Sequence, residues 1–327
     1  MEIASQNTTR LGKTDLFIPE AGTGAWAWGD RTVWGYGRDY QEEDVHGAFD
    51  ASVRNGITFF DTAEVYGMGR SERLLGAFIQ EQLAATTEPK QREDFVIASK
   101  FMPFPWRLWK GSLIRALKNS LKRLQLSYLD LYQIHFPMPP LPVEIWADAL
   151  AEAVALGLTK SVGVSNFNEQ QMRQAHLTLM KHDIHLASNQ IEFHLLNRKI
   201  EENGLLEACH DLGITPIAYS PLAQGVLTGK YTPESTPPGV RGRHYNRSFL
   251  AKVQPLIRLM RDIGREHESK SPAQVALNWV ICKGAIPIPG AKHQRQVMEN
   301  AGALGWRLTD AEVAILDEAS LNITTQR

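Results

Sequence analysis

Cysteine is almost absent from this chain: its 327 residues hold two, Cys209 and Cys282. They lie far apart and outside any Cys-x-x-Cys spacing, which excludes a disulfide framework and a thiolate zinc site. An excess of charge is missing too, since 35 Lys and Arg face 36 Asp and Glu for a formal net charge of −1. Near-neutrality gives no electrostatic reason to expect a nucleic acid or an anionic membrane as partner. No apolar run approaches the roughly 18 residues of a membrane-spanning helix. The opening MEIASQNTTR lacks the charged-then-apolar pattern of a secretory signal. A cytoplasmic protein is therefore expected. What remains, 43% apolar and 22% charged, is an ordinary globular composition.

Short apolar runs recur along the chain, each followed by a longer amphipathic stretch. Strands are expected at 22–26, 58–61, 95–99, 129–134, 161–165, 187–192, 215–219 and 285–288. Several are bounded by Gly, Pro, Asn or Asp, as strand ends usually are. Leu113, Leu117, Leu121 and Leu124 draw one helical stripe, and Phe49, Val53 and Ile57 a shorter one. Successive strands are mostly about thirty residues apart, the size of a βα unit. Eight such units predict a closed (β/α)8 TIM barrel, an α/β fold. An open dinucleotide-binding sheet lacks its marker, because Gly22, Gly24 and Gly29 have the wrong spacing for G-x-G-x-x-G and lead into no helix. Ahead of the first strand, 9–11 and 16–18 flank Gly12-Lys13-Thr14, which predicts a hairpin covering the barrel bottom. Between the seventh and eighth strands lie a Pro- and Gly-rich stretch, 231–243, and a helix near 249–268. No composition change marks a linker, so 1–327 is expected to be one domain, with a last helix near 309–321 and a short polar tail.

Barrels of this kind place their chemistry at the C-terminal strand ends. Those ends give Asp61 after the second strand, Lys100 after the third and His135 after the fourth, with Tyr66 in the loop beyond Asp61. Singly, each has an ordinary structural reading as a cap, a solvated charge or turn packing. Together they make a carbonyl-polarising acid site. A lysine beside a tyrosine stabilises phenolate, an aspartate orients the lysine, and a histidine donates to a substrate oxygen.

The run Asp61-Thr62-Ala63-Glu64-Val65-Tyr66-Gly67, with Ser71-Glu72 and Leu75-Gly76, resembles the signature of the aldo-keto reductases. The likeness continues through Ser99-Lys100, Ile134-His135-Phe136-Pro137, Gly163-Val164-Ser165-Asn166-Phe167 and Asn189-Gln190. It goes on to Tyr219-Ser220-Pro221-Leu222, Ile288-Pro289-Gly290-Ala291-Lys292 and Glu299-Asn300, in the family's order over nearly the whole chain. The resemblance implies a monomeric barrel that binds NADP(H) without a Rossmann fold and reduces a small aldehyde or ketone, with no metal. Tyr66 would be the general acid, Lys100 paired with Asp61 would lower its pKa, and His135 would orient the carbonyl.

The resemblance also implies a cofactor path. Ser165, Asn166 and Gln190 would hold the nicotinamide carboxamide and Tyr219 would stack on its ring, with Gly24, Ala25, Trp26 and Asp61 alongside. Ser220, Pro221, Leu222, Gln224 and Gly225 would line the pyrophosphate. Lys230 and Arg241 resemble a basic clasp over it, as in the long-loop branch that includes potassium-channel β subunits. Pro289, Gly290, Ala291, Lys292, Gln296, Glu299 and Asn300 match the adenosine end. Many members carry Lys-Ser where this chain has Gly290-Ala291, and Arg in place of Gln296. That departure weakens the inherited preference for the 2′-phosphate. Lys292 can restore it by a charge-assisted contact, which leaves the strength of NADPH over NADH open.

On the substrate side, the loop after the first strand carries Trp26, Trp28, Trp34, Tyr36 and Tyr40, and the loop after the third carries Met102, Phe104, Trp106 and Trp109. Trp26, Trp34, Phe104, Trp106, His135 and Phe136 are expected to wall the site, which favours flat or apolar carbonyl compounds. The short tail replaces the long C-terminal loop of more selective members, so broad specificity is expected. Two other functions stand beside the reductase: an NADP(H)-holding regulatory or redox-sensing subunit with slow turnover, and a metal-dependent barrel hydrolase. The second needs ligand partners that His135 lacks at usable spacing.

Overall fold

The computed structural model describes residues 8–321 and 323. The expected hairpin forms from β1 (Thr8–Arg10) and β2 (Phe17–Pro19), paired antiparallel with Thr9 opposite Ile18. Leu11 and Ile18 are fully buried and cluster with Phe59, Val96, Leu131 and Ile217 inside the sheet. The Gly12 N–H donates to the Thr215 hydroxyl at 2.7 Å, at the N-terminal end of a barrel strand. The hairpin therefore plugs the barrel at the end opposite the strand C-termini.

The barrel strands are β3 (Thr23–Gly24), β4 (Phe59–Asp61), β5 (Val96–Phe101), β6 (Leu129–Ile134), β7 (Thr159–Ser165), β8 (Leu186–Glu192), β9 (Thr215–Tyr219) and β10 (Ile286–Ile288). They run parallel, each beside its sequence neighbour, in one eight-stranded sheet. The two edges meet at a seam. There Gly24 bridges Gly290, and the N–H groups of Gly22 and Gly24 donate to Pro287 O at 2.9 Å and Pro289 O at 3.1 Å. A Cβ on Gly24 would lie 2.8 Å from Ile288 O, so only glycine permits this approach. Every expected strand is present; 129–134 and 215–219 have the expected bounds and the others are shifted. The first is only two residues long, and the third runs past Ser99 through Lys100 to Phe101, which puts Lys100 within the sheet.

Helices cover the outside: α1 (Glu42–Arg54), α2 (Arg70–Leu83), α3 (Gly111–Leu124), α4 (Val143–Ala155), α5 (Glu169–Met180), α6 (Lys199–Glu202) and α7 (Leu205–Leu212). They continue with α8 (Val240–His244), α9 (Arg247–Glu266), α10 (Pro272–Cys282), α11 (Gln294–Ala301) and α12 (Asp310–Ser320). All four leucines of the α3 stripe are buried against the sheet, as their three- and four-residue spacing requires. The shorter stripe extends too far. α1 stops at Arg54, and Ile57 is buried beyond it with its N–H on Ser52 O at 2.9 Å. Asn55 caps the helix end, and Gly56, at φ 71°, turns the chain toward β4. The last two long helices start on side-chain caps, Ser271 for α10 and Thr309 for α12, each answered by a residue three positions on. Among the described residues no helix is long and apolar enough to cross a membrane. Of the tail after α12, only Leu321 and Ile323 are among the described residues.

Candidate active site

β4 ends in Asp61, β5 carries Lys100, and β6 ends immediately before His135. Tyr66 opens a single tight turn, Tyr66–Gly69, in which Gly67, Met68 and Gly69 have φ of 54, 57 and 79°. Such a left-handed run suits glycine, and a Cβ on Gly67 would lie 2.6 Å from Gly29 O. The turn swings the chain into α2 and leaves Tyr66 at the strand C-termini.

Lys100 is wholly buried and ion-paired with Asp61. Its ammonium also donates to Thr62 O at 2.9 Å and to the Tyr66 hydroxyl at 3.3 Å. The second Asp61 oxygen accepts from Gln190 Nε2 at 2.8 Å and from Gln133 Nε2 at 3.1 Å. Burial works against the Lys100 charge, but Asp61 and then Tyr66 outweigh it and raise the lysine pKa. For Tyr66, burial is the largest influence and raises its pKa, Lys100 pulls it down, and Asp61 pushes it up again. The expected pull of Lys100 is present, yet the balance leaves Tyr66 holding its proton. His135 is pushed down to about 2, first by burial and then by Lys100, so it is a neutral imidazole. Its Nδ1 is buried with no hydrogen-bond partner among the described residues. Its ring meets Tyr66 edge-on at 5.7 Å and stacks on Phe136 at 5.1 Å.

Ser165, Asn166 and Tyr219 form a second network beside it. The Ser165 hydroxyl donates to Gln190 O at 2.9 Å, and Asn166 Nδ2 donates to His135 O and to Ser165 Oγ, both at 3.0 Å. The Tyr219 hydroxyl donates to Asn166 Oδ1 at 2.9 Å. Gln190, expected on the nicotinamide amide, directs its N–H to Asp61.

After β9 the backbone turns left-handed at Ser220, Ala223, Gln224 and Gly225, with φ of 51, 48, 53 and 95°. Beyond this turn stand Lys230, Arg241 and Lys292, none with a carboxylate within ion-pair distance among the described residues. Lys292 Nζ donates to Trp34 O at 2.9 Å and lies 4.4 Å from the Tyr40 ring. The Lys292 N–H donates to Gln296 Oε1 at 2.7 Å, which fixes the loop. Burial first, and then Arg241, push Lys292 down to about 8, with Lys230 adding to the effect and Asp39 opposing it. Three mutually repelling cations make a site that an anion would complete.

One cleft of about 990 Å³ joins the two ends, lined by Tyr66 and His135 at one and by Lys230, Arg241 and Lys292 at the other. Between them it is lined by Gly24, Trp26, Trp34, Phe136, Ser165, Asn166, Gln190 and Tyr219. It continues along Ser220, Pro221, Leu222, Gln224 and Gly225 to Pro289, Gly290, Gln296, Glu299 and Asn300. Ala25 and Ala291 are buried and do not line it. Phe104 and Trp106 lie elsewhere too. They stack on each other at 4.5 Å, and Trp106 is 68% exposed and borders a separate cavity of about 140 Å³ beside Arg107 and Trp109. Glu64 ties down that loop by accepting from Met102 N at 2.8 Å and pairing with Arg107. Sequence reasoning missed Gln133 and the lining residues Asp39 and Arg295. The signal for Gln133 was a polar residue in an apolar strand, two positions before His135.

A family model described as the Aldo/keto reductase family matches residues 20–321. The chain is 40% identical over 312 residues to the chloroplastic pyridoxal reductase of Arabidopsis thaliana, covering 93% of this chain and 84% of that one. It is 31% identical over 321 residues to an aldo-keto reductase of Bacillus subtilis, covering 93% and 90%. Among solved structures, an aldo-keto reductase from Klebsiella pneumoniae in complex with NADPH is similar at TM-score 0.73 and 30% identity, over 98% of this chain and 97% of that one.

Proposed function

The chain belongs to the aldo/keto reductase family and is an oxidoreductase, and on that premise we propose that it reduces small aldehydes and ketones with NADPH. Aromatic aldehydes such as pyridoxal are the foremost substrates in this reading. It acts as a monomeric cytoplasmic enzyme whose 1–327 form one barrel domain. The observation that carries the reading is a single cleft with a buried Asp61–Lys100–Tyr66 chain at one end and, at the other, three cations with no ion-pair partner among the described residues. NADPH, when bound, supplies the hydride.

The protein's own part is to place and move a proton. Tyr66 keeps its proton at neutral pH and passes it from Oη to the carbonyl oxygen as charge grows there. Lys100 then faces the phenolate and stabilises it. Asp61, held by Gln133 and Gln190, keeps Lys100 charged and fixed. The neutral His135 steadies the carbonyl by hydrogen bonding. Ser165, Asn166 and Tyr219 orient the nicotinamide, and Lys292, Arg241 and Lys230 hold the phosphates. Trp26, whose ring lies 6.2 Å from that of Tyr66, and Phe136 offer flat apolar walls to an aromatic aldehyde. Oxidation of NADPH in the presence of pyridoxal and 4-nitrobenzaldehyde tests the reading. Turnover of both is expected. Tight NADPH binding with no turnover on any carbonyl would instead favour a redox-sensing subunit.

A further inference from the structure

Trp34 sits at the cation end of the cleft and connects to the Tyr66 end through Trp26. The Arg241 guanidinium lies 5.1 Å from its ring centroid and Lys292 Nζ lies 5.0 Å from it. Its carbonyl accepts the hydrogen bond from Lys292 Nζ. In the other direction its indole packs edge-on against Trp26, with centroids 5.4 Å apart and planes at 90°. Trp26 in turn neighbours Tyr66. The Trp34 Nε1 is buried with no hydrogen-bond partner among the described residues, although the residue lines the cleft.

A buried N–H without an acceptor is rare and costly, and this one belongs to a residue of the cleft wall, so an acceptor brought to it by a ligand would relieve that cost. The neighbours identify the acceptor's chemistry. Two cations beside one aromatic ring repel each other, and the ring's negative faces offset only part of that repulsion. An anion that reached both cations and the indole N–H would satisfy all three. It would also draw on the same Lys292 ammonium that donates to the Trp34 carbonyl, which couples binding there to how the Trp34 loop is held. The edge contact with Trp26 then extends that coupling to the aldehyde wall.

Building on the NADPH reading, we propose that Trp34 reads the 2′-phosphate, donating its indole N–H to the anion held by Lys292 and Arg241, and relays its presence through Trp26 to the substrate pocket. Trp34 is thus a determinant of both cofactor and substrate affinity.

Titration calorimetry with adenosine 2′,5′-bisphosphate and 5′-AMP isolates the first half, because the two differ only in the 2′-phosphate and neither carries nicotinamide. The wild type is expected to prefer the bisphosphate. Trp34→Phe keeps a ring for the cations and for Trp26 but removes the N–H. It should lose about tenfold in bisphosphate affinity and nothing for 5′-AMP. Unchanged bisphosphate affinity in this variant overturns the donor role. For the relay, the KM for pyridoxal is measured with NADPH and with NADH. The wild type should show a lower KM with NADPH, and Trp34→Ala should raise it several-fold until the two values meet. KM values that stay as far apart as in the wild type overturn the relay. Equal binding of both adenosine probes by the wild type would remove the NADPH reading itself, a result distinct from either failure of Trp34.

Discussion

At the Tyr66 end of the cleft the charges are matched inside the protein: Lys100 faces Asp61, and the other Asp61 oxygen takes two glutamine N–H groups. At the Lys292 end three cations share a pocket built outside the barrel strands, with no carboxylate paired to any of them among the described residues, and Lys292 is pushed down to about 8. The matched end rests on barrel strands β4, β5, β6 and β8, whereas the unmatched end rests on the segments after β9 and β10 and on the Trp34 loop. The difference fits what the proposed function asks of each end. A proton donor must stand in fixed geometry before the substrate arrives, so its partners are built in. A phosphate brings its own charge, so its site is left electrostatically incomplete and gains on binding.

The contrast breaks most sharply at Tyr66. Tyr66→Phe removes the proposed proton donor and leaves the ring, so reduction of 4-nitrobenzaldehyde should fall by about two orders of magnitude or more, while NADPH affinity stays put. Retention of most of the activity would mean that the matched end is only structural.

Lys292→Met should act on the other end alone. NADPH binding should weaken by about 2 kcal/mol and NADH binding scarcely change, because NADH has no 2′-phosphate. The same lysine gives a pH signature. In the free protein it sheds its proton near pH 8, so NADPH affinity should decline as pH rises through about 8 while NADH affinity stays flat. Dissociation constants for both cofactors from pH 7 to 9.5, roughly spanning that titration, decide the point. An equal loss for both cofactors would place Lys292 in loop support.

The smallest effect is on stability. His135 is held near 2 when folded against an ordinary value of 6.5, so the unfolded chain takes up a proton that the folded one refuses. Stability should therefore be lost as pH falls below about 6.5, with a slope of at most about 1.4 kcal/mol per pH unit from this group. Denaturant midpoints of wild type and His135→Gln compared from pH 7 to pH 5, a window of about two units, should converge as the pH falls. Parallel curves would show that His135 escapes its burial by local opening.

Much of this was legible in the sequence. Apolar runs located each barrel strand, since local β-propensity and bounding turns suffice for that, and the strand ends delivered Asp61, Lys100, Tyr66 and His135. Strand bounds were less legible, because β3 has as many residues as its non-local partners allow, and those partners include Gly290 from the far end of the chain. Gln133 was hidden because a barrel strand alternates between two faces, and the sequence does not say which face is sealed. Phe104 and Trp106 were read as substrate walls from their place in a loop leaving a strand top, which does not give the direction in which that loop folds. The Tyr66 balance was beyond reach because burial and the Lys100 charge oppose each other, and only distances weigh them. The Arg241–Trp34–Lys292 stack joins three distant segments with no local pattern to announce it.

The seam between β3 and β10 imposes an order of assembly. Asp61, Tyr66, Lys100 and His135 are all made within the first 135 residues, whereas β3 acquires its second neighbour only once Ile286–Ile288 has been synthesised. For most of translation the nascent sheet therefore carries an open edge at β3. Exposed edges invite pairing with other chains, and a very short edge strand is one way of blunting that hazard. With only Thr23 and Gly24 in strand conformation, this edge offers a foreign strand little length to add to. The brevity of β3 thus protects the unfinished barrel until its last strand arrives.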